Sequence, residues 1–306
     1  MKILVISSNL IGDTILSTCV VEHFAKKYPK GTFTFLIGPS AGQIYEYFPK
    51  KDKIILIKKK KFNMHWIDMY LTSWNKKWEI IIDFRSSLLS YFLIGKKRYI
   101  FKKNKNFNHL KKLKKSYNLD NTSLFVHTSY KDDLLAKNEI DSNFKYVVIF
   151  PGGNWKPKIW PSEYYNELIK ILISRYTNLK FVIVGSLYEK KIYLKHIKRD
   201  LSDDIFIDIM GKSLSFTSSF MKLSNLFIGN DSGLMHLSIA SNLPTISLFG
   251  PTDDKIYGHI NSKSYVLRTT INYSDFNKKL IDSEKSYMLT IKPKKILDLI
   301  NKENLL

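Results

Sequence analysis

"NDSGLMHLSIASNLPTISLFGPTDD" runs from Asn230 to Asp254. An apolar run, LFIG at 226–229, delivers Asn-Asp-Ser-Gly straight into a small-residue helix pattern with a histidine on its first turn. A second apolar run, TISLF at 245–249, then stops at Gly-Pro-Thr-Asp-Asp. Strand, helix and strand in that order predict a parallel βαβ unit with both faces covered. A purely structural unit has no need of polar chemistry at the carboxyl ends of both strands, which is where open parallel sheets bind ligands.

The same alternation extends outward in both directions. Strands are predicted over 3–7, 32–37, 54–57, 79–83 and 99–101, with helices over 13–27, 40–48, 65–74 and 87–94. The second half repeats the plan, with strands over 146–150, 181–184, 205–209, 225–228 and 245–249. Helices there start near Ser162, Tyr188, Ser213 and Gly233. In WPSEYYNELIKILI, Tyr164, Leu168, Ile171 and Leu172 recur at helical spacing as one apolar stripe, with Pro161 and Ser162 as the start signal. Periodicity is weakest over 118–145, so the boundary is expected near residue 140, giving domains 1–140 and 141–306. The fold class is α/β, with two Rossmann-like domains facing a cleft.

Composition narrows the function. The chain has 306 residues, 44% of them hydrophobic, enough to bury two cores of ordinary size. No apolar stretch reaches the about 20 residues that span a bilayer, and MKILVISSNLIGD reads as a first strand, not a signal peptide. With Cys19 as the single cysteine, no internal disulfide is possible, and a cytoplasmic location is expected. The histidines and Cys19 lack metal-ligand spacing, so no metal and no cofactor is expected. The net charge of +22, mostly lysine, has two readings: codon usage of an A+T-rich genome, or attraction to an anionic surface. The lysine runs at 58–61 and 102–106 lack the interleaved aromatics of nucleic-acid readers, so no nucleic-acid partner is expected. GKKR at 95–98 reads as a link between helix and strand.

Three motifs carry chemistry. In SSNLIGDTILST (7–18), Asp13 is either an N-cap of the first helix or a general base. In PGGNWKPKIWP (151–161), Gly152 and Gly153 allow close backbone approach, and Lys158 precedes a helix start, an arrangement suited to phosphate but also to an ordinary turn. In the opening stretch, Ser232 and Gly233 begin a helix whose amide groups favour an anion, with His236 one turn along. The alternative there is a capped helix with a surface histidine, whose small residues Ser238, Ala240 and Ser241 merely permit close packing.

IGDTILST, PGGNWKPKIWP and GNDSGLMHLSIASNLPTISLFGPTDD together resemble glycosyltransferase family 9, the ADP-heptose:lipopolysaccharide heptosyltransferases. IIIDFRSSLLS (80–90) is similar to the segment after an Asp-ended strand of the family's first domain. The resemblance implies a GT-B fold and an inverting, metal-independent transferase. It makes Asp13 the catalytic base and Lys158 the group that neutralises the pyrophosphate leaving group. It places Glu189 on the nucleotide ribose, and Asp231, Ser232, Gly233 and His236 in the donor-binding signature. Gly153 and Asn154 complete the donor set, Asn154 standing where small or hydroxyl residues are common in the family. Cys19 replaces a usual proline. The implied donor is ADP-heptose and the implied acceptor a lipopolysaccharide-type or lipid-linked glycan. The enzyme would be cytoplasmic and peripheral on the inner membrane, and the closing helix from Pro293 would return to the first domain. A non-catalytic nucleotide-sugar-binding module and a sugar-nucleotide epimerase of related architecture are the alternatives.

Overall fold

The computed structural model describes residues 1–101, 108–119, 123–258, 260–276 and 280–306. The lysine run at 102–106 therefore lies outside the described residues. The chain divides into two compact units, Met1–Ser129 and Tyr130–Leu306.

In the first unit the order is β1 (Lys2–Ile6), α1 (Ile11–Lys27), β2 (Thr32–Ile37), α2 (Pro39–Gly42) and β3 (Lys51–Leu56). Then come α3 (His65–Leu71), β4 (Trp78–Asp83), α4 (Leu89–Phe92), β5 (Gly95–Ile100) and α5 (His109–Tyr117). The second unit opens with α6 (Tyr130–Asn138), β6 (Lys145–Phe150), α7 (Ser162–Arg175), β7 (Leu179–Ile183) and α8 (Leu187–Ile197). It continues through β8 (Phe206–Asp208), α9 (Leu214–Lys222), β9 (Leu226–Asn230) and α10 (Gly233–Ala240). It ends with β10 (Thr245–Phe249), α11 (Asp254–Tyr257), β11 (Ser264–Arg268) and α12 (Pro293–Lys302).

Runs such as KILVI in β1 and KYVVIF in β6 are buried from their second residue onward, as strands covered on both faces must be. The first sheet has the order β3-β2-β1-β4-β5 and the second β11-β10-β9-β6-β7-β8, with every described pairing parallel. In each sheet the winding reverses in the middle, between β1 and β4 and between β6 and β9. The loops leaving those two strands run to opposite faces, which opens a crevice at their carboxyl ends. Ile6 pairs with Asp83 at the first reversal, and Phe150 with Gly229 at the second.

Several sequence expectations shift. Helix α7 buries Tyr165, Leu168, Ile169 and Leu172, so the stripe is rotated from the expected Tyr164 and Ile171. The rotation suits Tyr165, whose hydroxyl donates to the Phe150 carbonyl at 2.8 Å. The start signal itself holds: α7 begins at Ser162 with Pro161 in the N-cap position. GKKR is not a link but the start of strand β5, at the sheet's edge with Lys96, Lys97 and Arg98 exposed. An edge strand needs one neighbour only, and outward charge protects it from further pairing, so the apolar run at 99–101 marks only its end. Helix α6 and strand β11 have too little apolar surface to stand out in the sequence: α6 buries Ala136 alone and β11 is mostly half-buried. The closing helix α12, expected to return to the first domain, instead packs on α7, with Ile296 and Ile300 in the second unit's core. Among the described residues no helix is long and apolar enough to cross a membrane.

Candidate functional site

In the first unit, a crevice of about 390 Å³ opens at the β1–β4 reversal, lined by residues that include Ser8, Asn9, Asp13, Arg85 and His109. Helix α1 begins two residues before Asp13, and its N-cap position is held by Leu10 without a side-chain bond. Asp13 is thus not the N-cap. It sits in the first turn, where a carboxylate still complements the helix dipole. Ser8 organises the approach: its hydroxyl accepts from the Leu10 amide at 3.1 Å and donates to Asp13 Oδ2 at 3.4 Å.

The carboxylate that ends β4 has a different task. Asp83 is fully buried and accepts from the Arg85 amide at 2.8 Å, the Ser87 amide at 2.8 Å and the Ser87 hydroxyl at 2.6 Å. It shapes the turn that carries Arg85 to the crevice wall. Burial lowers the pKa of the Arg85 guanidinium, and nearby Asp83 partly offsets this. Arg85 and His109 were not singled out from the sequence. Arg85 was findable, standing two residues past a strand at the reversal. His109 arrives on a later helix and had no such marker.

At the second reversal, Asn230 is the keystone. Its side chain is fully buried and lies between the two strand ends. Nδ2 donates to the carbonyls of Pro151 at 3.2 Å and Gly152 at 2.9 Å. Oδ1 accepts from the Trp160 amide at 3.0 Å and, at 3.3 Å, shares the Tyr165 hydroxyl proton with the Phe150 carbonyl. One amide side chain therefore pins both ends of the 151–160 loop against β9. Because all its polar capacity is used inside the protein, its role is to position the loop.

The groups around it remain for chemistry. Lys158 Nζ lies 3.7 Å from Asp231 Oδ2, and both side chains are nearly buried. Ser232 caps α10, accepting from the Met235 amide at 3.3 Å, and Gly233 is the first helical residue. His236 is buried, with its ring 6.4 Å from that of Tyr257, so the expectation of a surface histidine does not hold. Ser238 is also buried and bonded to the Thr245 hydroxyl at 2.8 Å, consistent with close packing of α10 on the sheet. Gly153 has φ of +155°, and Asn154 is exposed beside it.

Glu189 is held by a reciprocal cap at the start of α8. Its Oε2 accepts from the Ser186 amide at 2.7 Å and hydroxyl at 2.8 Å, while its own amide donates to Ser186 Oγ at 3.2 Å. Its other oxygen leans on Gly152, where a Cβ would stand only 2.1 Å from Oε1. The loop glycine and the carboxylate are packed against each other. The acids of GPTDD are accounted for structurally: Asp253 caps α11, and Asp254 pairs with Arg268 at 2.6 Å. Arg268 also donates to the carbonyls of Gly250 and Thr252. The polar surplus at the ends of β9 and β10 is thus part latch, in Asn230, Asp253 and Asp254, and part candidate site. Among the described residues no three His, Cys, Asp or Glu side chains are grouped to hold a metal ion.

A family model described as glycosyltransferase family 9 (heptosyltransferase) matches residues 91–287. Lys158, Glu189, Asp231, Ser232, Gly233 and His236 fall inside that range, and Asp13 precedes it. Lipopolysaccharide heptosyltransferase 1 of Campylobacter coli is 26% identical over 291 residues, covering 82% of this chain and 84% of that protein. Lipooligosaccharide heptosyltransferase 2 of Campylobacter jejuni is 26% identical over 279 residues, covering 82% of each. Among solved structures, E. coli ADP-heptose lps heptosyltransferase II superposes with a TM-score of 0.75 at 19% identity, over 99% of this chain and 98% of that one. An E. coli heptosyltransferase solved with ADP gives 0.74 at 15% identity, over 99% of both. At such identities the structural likeness is one of fold, and that fold is GT-B. The matched family range decides for glycosyl transfer over the epimerase and binding-only alternatives: the chain belongs to glycosyltransferase family 9, the heptosyltransferases.

Proposed function

We propose that this glycosyltransferase moves heptose from ADP-heptose onto a lipopolysaccharide core or related glycan, with inversion and without a metal ion. The carrying observation is the Lys158–Asp231 pair beside the α10 start, at the winding reversal of the second sheet. A nucleoside diphosphate needs positive charge that costs no reorganisation as the leaving group departs. A lysine and a helix N-terminus supply it, which is the basis for proposing metal independence. The names of the relatives in Campylobacter and E. coli support heptose and a lipopolysaccharide acceptor, and the E. coli enzymes solved as an ADP-heptose transferase and with ADP support an adenosine nucleotide.

In this reading the first unit binds the acceptor and the second the donor. Asp13 takes the proton of the acceptor hydroxyl as its oxygen attacks the anomeric carbon. The bond from that carbon to the diphosphate breaks with its electron pair going to ADP, whose charge Lys158 and the α10 amides receive. Asp231 accepts from sugar hydroxyls, Glu189 from the ribose, and Gly153, Asn154 and His236 line the donor. The reaction takes place at the cytoplasmic face of the inner membrane, toward which the net charge of +22 attracts the chain.

The test is a transfer assay over a panel of nucleotide sugars with a lipopolysaccharide-core acceptor, run with and without chelator. ADP-heptose should give the highest kcat/KM, an inverted anomeric centre by NMR, and equal rates with chelator. Preference for another donor, retention, or loss of activity on chelation would each refute that part of the reading. Epimerised donor or binding without turnover would refute transfer itself.

A further inference from the structure

Helix α3 presents apolar side chains in the wrong direction for a surface helix. Its inner face buries His65 and Met69. Its outer face carries Ile67, Tyr70 and Leu71, at i, i+3 and i+4, and continues with Trp74 in the following turn, all four exposed. The rings of Tyr70 and Trp74 stack at 6.5 Å. Across a groove of about 590 Å³, Leu88 and Phe92 at the two ends of α4 are 75% and 70% exposed. Phe62, at the turn before α3, is 94% exposed and held at φ +51°, a backbone region that bulky residues rarely adopt. A contiguous apolar face of this kind marks an interaction site and not ordinary surface.

Charge and composition identify the occupant. Lys58, Lys59, Lys60 and Lys61 directly precede Phe62 and are exposed, and Lys60 is anchored to α3 by its 2.7 Å pair with Asp68. Lys77, Lys96 and Lys97 flank the face in sequence on the other side and are also exposed. Apolar and aromatic residues beside a lysine run tied to the same helix match the layered chemistry of an anionic bilayer, acyl chains within and phosphate headgroups around. The face also adjoins the candidate active site of its own unit. The Arg85 guanidinium stands 4.6 Å from the Trp66 ring centre; Arg85 lines the Asp13 crevice and Trp66 lines the groove.

We propose that the face built by Phe62, α3 and α4 seats on anionic phospholipid, with its apolar side chains inserted at the interface and the lysine run on the headgroups. This goes beyond charge attraction: insertion of specific side chains makes part of the binding resistant to salt. Arg85 then sits between the bilayer and Asp13, so that an acceptor carried by the membrane reaches the crevice along one edge of the first unit. That consequence rests on the reading of a lipid-borne acceptor, whereas the binding itself is tested with neither donor nor acceptor present.

The experiment uses the full chain and vesicles of equal parts phosphatidylcholine and phosphatidylglycerol. Wild type should bind, keep a fraction of its binding at high salt, and have its tryptophan fluorescence quenched by phosphatidylcholine brominated on the acyl chains. Trp74→Phe should remove much of that quenching. The triple variant Ile67→Ser/Leu88→Ser/Phe92→Ser, at exposed positions, should bind at least about tenfold more weakly and lose the salt-resistant fraction. Wild-type binding without quenching would overturn insertion and leave the lysines as the whole attachment; this outcome needs no variant to fold. A folded triple variant that binds like wild type would also overturn it. So would wild-type self-association that the triple variant abolishes while vesicle binding is unchanged, since the occupant would then be a second copy of the chain.

Discussion

Asp13 and Lys158 carry opposite expectations for the same reaction. Asp13→Asn removes the proposed base from the first turn of α1 and leaves Ser8 able to bond the new amide. Its kcat should fall on the order of 10²-fold or more, with ADP affinity and Tm little changed by calorimetry. Retained turnover with a lowered Tm would make Asp13 a helix-dipole partner only. Lys158→Ala should weaken ADP binding and slow transfer together, because it also leaves the Asp231 carboxylate uncompensated beside the diphosphate. Lys158→Ala/Asp231→Asn should therefore recover part of the lost ADP affinity while transfer stays slow; no recovery would mean the two residues act apart. Cys19 is not part of this chemistry. Burial pushes its thiol up to about 12, so it should resist thiol reagents at neutral pH until the protein unfolds.

At the scale of elements, the second-sheet crevice depends on two small features. Asn230 joins β9 to the 151–160 loop through three hydrogen bonds and to α7 through a fourth, all from one buried side chain. Asn230→Ala strands several of those partners, so stability should drop by about 3 kcal/mol or more in denaturant titration, and the remaining folded protein should bind ADP weakly. A loss under about 1 kcal/mol would mean that the loop holds itself. Gly152 makes room for Glu189. Gly152→Ala should displace the carboxylate and break the reciprocal cap with Ser186, costing about 1 kcal/mol and lowering donor affinity more than a cap alone explains. Ser186→Ala, which loosens the cap without crowding the loop, separates the two effects.

For the whole molecule, the proposed acceptor and donor duties of the two units would have separate signatures. Saturating ADP should raise Tm, with about 2.7 kcal/mol of stabilisation at a hundredfold excess over Kd. Hydrogen exchange should then slow in the 151–160 loop and at the start of α10, and not in the Ser8–Asp13 approach. Protection of that approach by ADP alone would show the first unit to be part of the donor site. The positive charge acts on the same scale. Spread evenly it favours any anionic surface; beside the apolar face of α3 and α4 it would, in the proposed seating, select one orientation.

Read alone, the sequence determined the architecture and where the candidate site residues of the second unit stand. Alternating apolar runs and helix periodicity dictate parallel strands, because only strands covered on both faces read as unbroken apolar segments. The motifs after those strands then locate Lys158, Asp231, Ser232 and Gly233 at a sheet end, since ligand chemistry and strand polarity coincide there. Which polar residues serve as latches was decided by tertiary structure. Asn230 and Asp231 are adjacent and both polar, yet one is consumed by four internal bonds and the other pairs with Lys158. Arg85 enters the Asp13 crevice because β4 lies beside β1, and His109 because α5 packs on α1, both pairings of segments far apart in the chain. The same holds for the outer face of α3. Its residues look like core in the sequence, and only the burial of His65 and Met69 on the opposite side shows which apolar groups are left facing solvent. Hydrophobic pattern specifies that a face will be covered; packing alone decides which face, and by what.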